Sequence, residues 1–169
     1  MKLSRPIALA AIVAALAAGA AITWQSFGSR ERAPQVSYTL LDGTKVSTDQ
    51  LRGKVVLVNF WATSCTTCMH EMPQIVSTYE MYKGRGYETV AVAMSYDEPG
   101  YVSTYATTRK LPFRVAHDAS GDIAQHFGDI RLTPTSVLIN KRGEIVKRYV
   151  GEPDFAALHQ LVEKLLAEA

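Results

Sequence analysis

Chemistry in this chain points first to its two cysteines, Cys65 and Cys68, in the stretch Asn59-Phe60-Trp61-Ala62-Thr63-Ser64-Cys65-Thr66-Thr67-Cys68. A thiolate attacks a disulfide, and a second thiol within reach then displaces it, so this spacing suits thiol-disulfide exchange. Ahead of the pair, Val55 to Phe60 is a short β-branched-rich run of the kind that forms a buried parallel strand. From Cys65 to Tyr82 the pattern turns helical, with Met69, Met72, Ile75 and Val76 on one side. The thiols thus fall where a strand ends and a helix begins. There the free N–H groups and the helix dipole favour a thiolate at Cys65. Cys65 is the expected nucleophile, and Cys68, one turn further in, is placed to resolve the mixed disulfide.

Two plainer roles compete for the pair. Zinc would need four ligands, but there is no second Cys-x-x-Cys, and His70, His117, His126 and His159 are scattered without His-x-x-x-His spacing. A purely structural bridge would close so small a loop that it restrains the unfolded chain little. Redox chemistry is therefore favoured over both.

The elements that position the pair follow from the rest of the chain. Met1 to Phe27 carries Lys2 and Arg5, then an uncharged run from Ile7 to Ile22, then Trp24, and has the form of an export signal. Ala18-Gly19-Ala20 offers a cleavage site, but the run approaches the roughly 17-residue minimum for a span, and Trp24 suits an interface. An uncleaved anchor over residues 1–28 is expected, with its N-terminus in the cytoplasm and the rest outside. No cysteine near its end could carry a lipid. Residues 29–35, with alternating charges and Pro34, are expected to form a linker, and 36–169 a single domain. The net charge of +2 includes the two basic residues before the anchor, so the remainder is close to neutral and has no basic stripe for nucleic acid. An exported cysteine pair meets an oxidising environment, so a reductase there needs an electron donor.

Within the domain, Ser37 to Leu41 and Thr44 to Ser47 flank Asp42-Gly43, as in a tight hairpin. Thr48 to Leu51 reads as one helical turn. Thr89 to Met94 is a second buried strand, Pro99 to Lys110 a helix, Arg114 to Ala116 a short strand and Gly121 to Phe127 a short helix. Thr135 to Ile139 and Glu144 to Tyr149 form a hairpin around Asn140-Lys141-Arg142-Gly143. Asp154 to Ala169 is amphipathic, with Phe155, Leu158, Leu161, Val162 and Leu165 on one face. Strands linked first by helices and then by a hairpin predict an α/β fold with a mixed central sheet flanked by helices.

The run Trp61 to Pro73, preceded by Val-Leu-Val-Asn59-Phe and followed downstream by Thr133-Pro134-Thr135, resembles the thioredoxin superfamily. More narrowly it is similar to the membrane-anchored TlpA/ResA-like thiol-disulfide oxidoreductases of bacteria. The similarity covers nearly all of the chain after the linker, including the N-terminal β-hairpin and the central insert between Met94 and Ala116. The resemblance implies a cis peptide bond before Pro134, whose neighbouring backbone at Thr133 would face an incoming peptide. It implies that Trp61 shields the site and that Ser64, Thr66 and Thr67 border it. Glu71 and Pro73 match the family's continuation after the second cysteine; Pro73 would kink the helix, and Glu71 is expected to cap or solvate its first turn or to act as an acid/base. An acidic residue of the insert, Asp97 or Glu98, is a second acid/base candidate, although a solvated helix start suits both better.

Two departures stand out. The residue before the first cysteine is usually Trp in such proteins, and Ser64 removes that apolar shield. Where thioredoxin has a buried carboxylate, this chain has Asn59, which cannot take a proton from Cys68. The resemblance implies a protein-disulfide reductase with no cofactor beyond the Cys65–Cys68 disulfide and no metal. It implies a monomer anchored in the bacterial inner membrane with its domain in the periplasm, recharged by a membrane donor of DsbD/CcdA type. Proteins with disulfides or thiols would be the substrates, in cytochrome c or copper-site maturation. A disulfide oxidase or isomerase of the same fold, and a copper-binding metallochaperone using His117 or His126, are the alternatives. A peroxidase would need a polar constellation around a single cysteine, which the sequence does not offer.

Overall fold

The computed structural model describes residues 30–168. The anchor expected over residues 1–28 lies outside them, and among the described residues no helix is long and apolar enough to cross a membrane.

The fold is a five-stranded mixed sheet with helices on both faces and a separate two-stranded hairpin. The hairpin pairs β1 (Ser37–Thr39) with β2 (Lys45–Ser47), and a 3-10 turn over Thr48–Leu51 follows. Ser47 caps that turn in a reciprocal arrangement with Gln50, each side chain accepting from the other's backbone N–H. The central strand is β3 (Val55–Trp61), followed by α1 (Thr66–Tyr82), β4 (Tyr87–Ala93), α2 (Pro99–Thr108), β5 (Arg114–His117) and the short α3 (Asp122–His126). The hairpin β6 (Thr135–Ile139) and β7 (Ile145–Val150) leads to α4 (Phe155–Ala167). Strand order is β5-β4-β3-β6-β7, with β3, β4 and β5 parallel and β6 antiparallel to both of its neighbours.

Every residue of β3 is buried, and alternate side chains serve opposite faces. Val55, Leu57 and Trp61 join Cys68, Met72 and Ile75 of α1, Val102 of α2, and Leu158, Val162 and Leu165 of α4 in one core. Val56, Val58 and Phe60 join Tyr38, Leu51, Ile123 and Phe127 in the other. Phe60 and Phe127 meet edge to face, with centroids 5.4 Å apart.

Three boundaries differ from expectation. β4 begins at Tyr87, because Glu88 is buried with its carboxylate paired to Arg114 of β5 and Lys54, which lets a charged residue sit inside a strand. α2 ends at Thr108, before Lys110 takes a positive φ of 51° and turns the chain toward Pro112. The segment expected as a linker is tied to the domain: Ala33 N–H donates to Gly143 O at 2.9 Å, Ile145 N–H donates to Glu31 O at 2.7 Å, and Ala33 is buried. These bonds cover the start of β7, which is otherwise an open sheet edge.

Candidate active site

β3 and α1 are joined by Ala62, Thr63, Ser64 and Cys65 at the C-terminal end of the parallel strands. Cys65 is the N-cap of α1, with an extended backbone (φ −89°, ψ 104°), and its Sγ accepts the Cys68 N–H at 3.1 Å. This sulfur therefore occupies the place of a capping oxygen, facing a helix terminus that stabilises negative charge. Cys65 and Cys68 form a disulfide with Cα atoms 5.2 Å apart. Cys65 is half-buried and Cys68 fully buried, so an incoming molecule meets the first sulfur. Thr66 and Thr67 between them are exposed, as is Ser64. Pro73 lies within α1, which nevertheless continues to Tyr82.

One turn beyond Cys68, Glu71 occupies the same side of α1 and has no exposed surface. Asn59 of β3 donates from Nδ2 to Glu71 Oε1 at 2.9 Å and to Ser136 Oγ of β6 at 3.0 Å. Burial is the main cause that pushes the Glu71 carboxyl up to about 7; the Asn59 bond opposes it and the nearby Glu152 charge adds to it. Capping or solvation of the first turn is thus not its place, because the helix carries it inward against Asn59. Asn59 was visible in the sequence as a polar residue in an apolar strand, whereas Ser136 carried no such signal.

The central insert reaches the site through Tyr96 and Asp97. Thr63 donates its backbone N–H to Asp97 Oδ2 at 2.6 Å and its hydroxyl to Asp97 Oδ1 at 2.5 Å. Asp97 is buried and lies ahead of α2, whose N-cap is Glu98 without a side-chain cap bond. The solvated helix start expected for both therefore holds only for the exposed Glu98, since Asp97 is drawn inward by the two donors of Thr63. Leaving those donors unmatched would cost about 1–3 kcal/mol each where buried.

Opposite the cysteine loop, the Thr133–Pro134 peptide bond is cis. Register pairs Thr135 with Phe60, so Pro134 stands level with the end of β3, where the cysteine loop begins. Pro134 is buried, and its carbonyl accepts from Gly151 N–H at 2.8 Å. Trp61 is completely buried, shares the core cluster of Cys68 and packs on Tyr105 with centroids 5.3 Å apart. It is a core residue behind the pair, because β3 turns its side chain toward the helices. The two histidines considered for copper are directed to backbone: His117 Nε2 lies 3.0 Å from Asp97 O, and His126 Nδ1 lies 2.6 Å from Asp122 O.

Residues 29–162 match the Redoxin family profile. The thiol-disulfide oxidoreductase ResA of Bacillus thuringiensis subsp. konkukian is 35% identical over 136 residues, spanning 80% of this chain and 77% of ResA. Among solved structures, a thioredoxin-like protein of Neisseria meningitidis is 42% identical with a TM-score of 0.77, covering 83% of this chain and 93% of that one. A thiol:disulfide interchange protein of Chlorobium tepidum TLS is 28% identical with a TM-score of 0.75, covering 83% and 99%. The chain belongs to the Redoxin family, within the ResA/TlpA-like thiol-disulfide oxidoreductases of the thioredoxin superfamily. It is a thiol-disulfide oxidoreductase, and its fold has the N-terminal hairpin that the resemblance implied.

Proposed function

We propose that this protein reduces disulfides in proteins outside the cytoplasm. The observation that carries the reading is the asymmetry of the pair: a half-buried Cys65 whose Sγ receives a helix N–H, ahead of a buried Cys68. In the reduced state the Cys65 thiolate attacks a substrate disulfide, forming a mixed disulfide and expelling one substrate thiolate. Cys68 then gives its proton to Glu71 and attacks Cys65 Sγ. The second substrate thiolate leaves, and the Cys65–Cys68 disulfide remains. A carboxyl pushed to about 7 can both accept and return that proton near neutral pH. Thr133 and Pro134 supply the edge along which an extended substrate segment lies.

An anchor over residues 1–28, argued from its charge-free run, would hold the domain of residues 36–169 on the periplasmic side of a bacterial inner membrane. A membrane donor of DsbD/CcdA type returns two electrons to the pair. Cysteines of haem or copper sites awaiting assembly are the substrates that fit such a location.

The equilibrium redox potential of the full chain, with Cys65→Ser and Cys68→Ser as controls, tests the direction. A value near or below that of thioredoxin, about −270 mV, supports a reductase. A value near −120 mV, as in strong oxidants, would reverse the electron flow.

A further inference from the structure

Tyr96 and Asp97 are consecutive, yet each ties a different wall of the site. Asp97, 6% exposed, takes both polar hydrogens of Thr63, two residues ahead of Cys65. Its own backbone is held from two sides, by its N–H donating to Met94 O at 3.0 Å and by His117 against its carbonyl. Tyr96 turns the other way: its hydroxyl lies 3.2 Å from Thr133 Oγ1, on the residue that precedes the cis-proline. Tyr96 is nevertheless 60% exposed, and Leu132, beside Thr133, is 66% exposed. Large apolar surface left in water at the rim of a reactive site marks a place where another molecule settles. Ser64, next to Cys65, supplies no such surface.

We infer that Tyr96 is a substrate-contacting specificity residue, held over the redox site by its bond to Thr133 and by the Asp97–Thr63 clamp, and that it receives an apolar or aromatic side chain flanking the substrate's cystine. The inference rests on the proposed attack by Cys65 and deepens it. An extended segment laid along Thr133 and Pro134 must pass the Tyr96 ring, because the phenol reaches across to that edge. Asp97 acts as a positioning residue, fixing Thr63 and through it the loop that carries Cys65.

Two synthetic peptides with the same internal disulfide, one flanked by Phe and one by Ser, test the inference with the full-length protein, and hydroxyethyl disulfide serves as a substrate without a peptide backbone. Tyr96→Ala is expected to raise KM for the Phe-flanked peptide about tenfold, and for the Ser-flanked peptide by less than about twofold. Its rate with hydroxyethyl disulfide, which has no flanking side chain, should fall less than its rate with the Phe-flanked peptide. Tyr96→Phe, which keeps the ring, should retain the preference for Phe over Ser. Asp97→Ala should slow attack on all three substrates and move the pH profile of Cys65 alkylation, with partial rescue by Asp97→Asn, which still offers an acceptor to Thr63. Equal KM values for the two peptides in the parent protein, or an unchanged preference in Tyr96→Ala, overturns the contact. Retained activity in Cys65→Ser would instead overturn the reading on which it rests. The KM comparison can be run in either redox direction, so a high potential would leave it standing.

Discussion

Glu71, buried in α1 one turn beyond Cys68, makes pH a variable to which this protein responds. Glu71 is pushed up to about 7 in the folded protein, from an ordinary value near 4.5, chiefly by burial. Between these values the folded form keeps a proton that the unfolded form has lost. Stability is therefore fully present at low pH, falls as pH rises toward about 7, and is flat above it. The loss amounts to roughly 3 kcal/mol. Glu71→Gln should remove this dependence, so that denaturation midpoints measured at pH 5 and pH 8 come closer together. On the proposed mechanism the same variant should slow release of the mixed disulfide at neutral pH, read as accumulation of a Cys65-linked substrate adduct, because Cys68 would have lost its proton acceptor. A Glu71→Gln protein with wild-type pH dependence and no adduct would remove the carboxyl from the mechanism.

At the scale of elements, the redox helix is held by packing against the C-terminal helix. α4 lays Leu158, Val162 and Leu165 into the core that also holds Cys68 and Met72. Leu158→Ala is expected to cost about 2–5 kcal/mol in urea denaturation, with the potential of the Cys65–Cys68 pair unchanged. The elements themselves were legible in the sequence: β-branched runs marked β3, β4 and β6, Asp42-Gly43 marked the first hairpin, and the 3.6-residue apolar pattern marked α4. The cysteine pair was legible for the same local reason, its place between strand and helix. What was not legible was contact across the fold. Glu71 reads as a polar residue of an exposed first turn until Asn59 of β3, itself bonded to Ser136 of β6, donates to its buried carboxylate. Asp97 reads as a helix start until Thr63, 34 positions earlier, is brought against it. Tyr96 and Thr133 are 37 positions apart, and no periodicity joins them. Burial also decided Trp61, whose type suits a shield and a core equally well.

For the whole molecule, the first described residues meet the sheet at the turn between β6 and β7, through Ala33 with Gly143 and Glu31 with Ile145. That turn adjoins the start of β3, since Gly53 N–H donates to Lys141 O at 2.9 Å. Cys65 follows the other end of β3, a strand of seven residues, which separates the two poles by about 20 Å. On the proposed anchor, lengthening the chain between residues 28 and 31 with Gly and Ser should change the rate of recharging by a membrane-embedded donor while leaving the rate with a soluble disulfide constant. Stopped-flow measurement in proteoliposomes would register the difference, and equal changes for both partners would sink the argument. The chain thus enters the domain of residues 31–168 near one end of β3, and the reactive sulfur follows the other end. With the proposed anchor and donor, a client that diffuses freely reaches that sulfur whatever the length of the tether, whereas recharging by a partner fixed in the membrane would depend on the slack the tether allows.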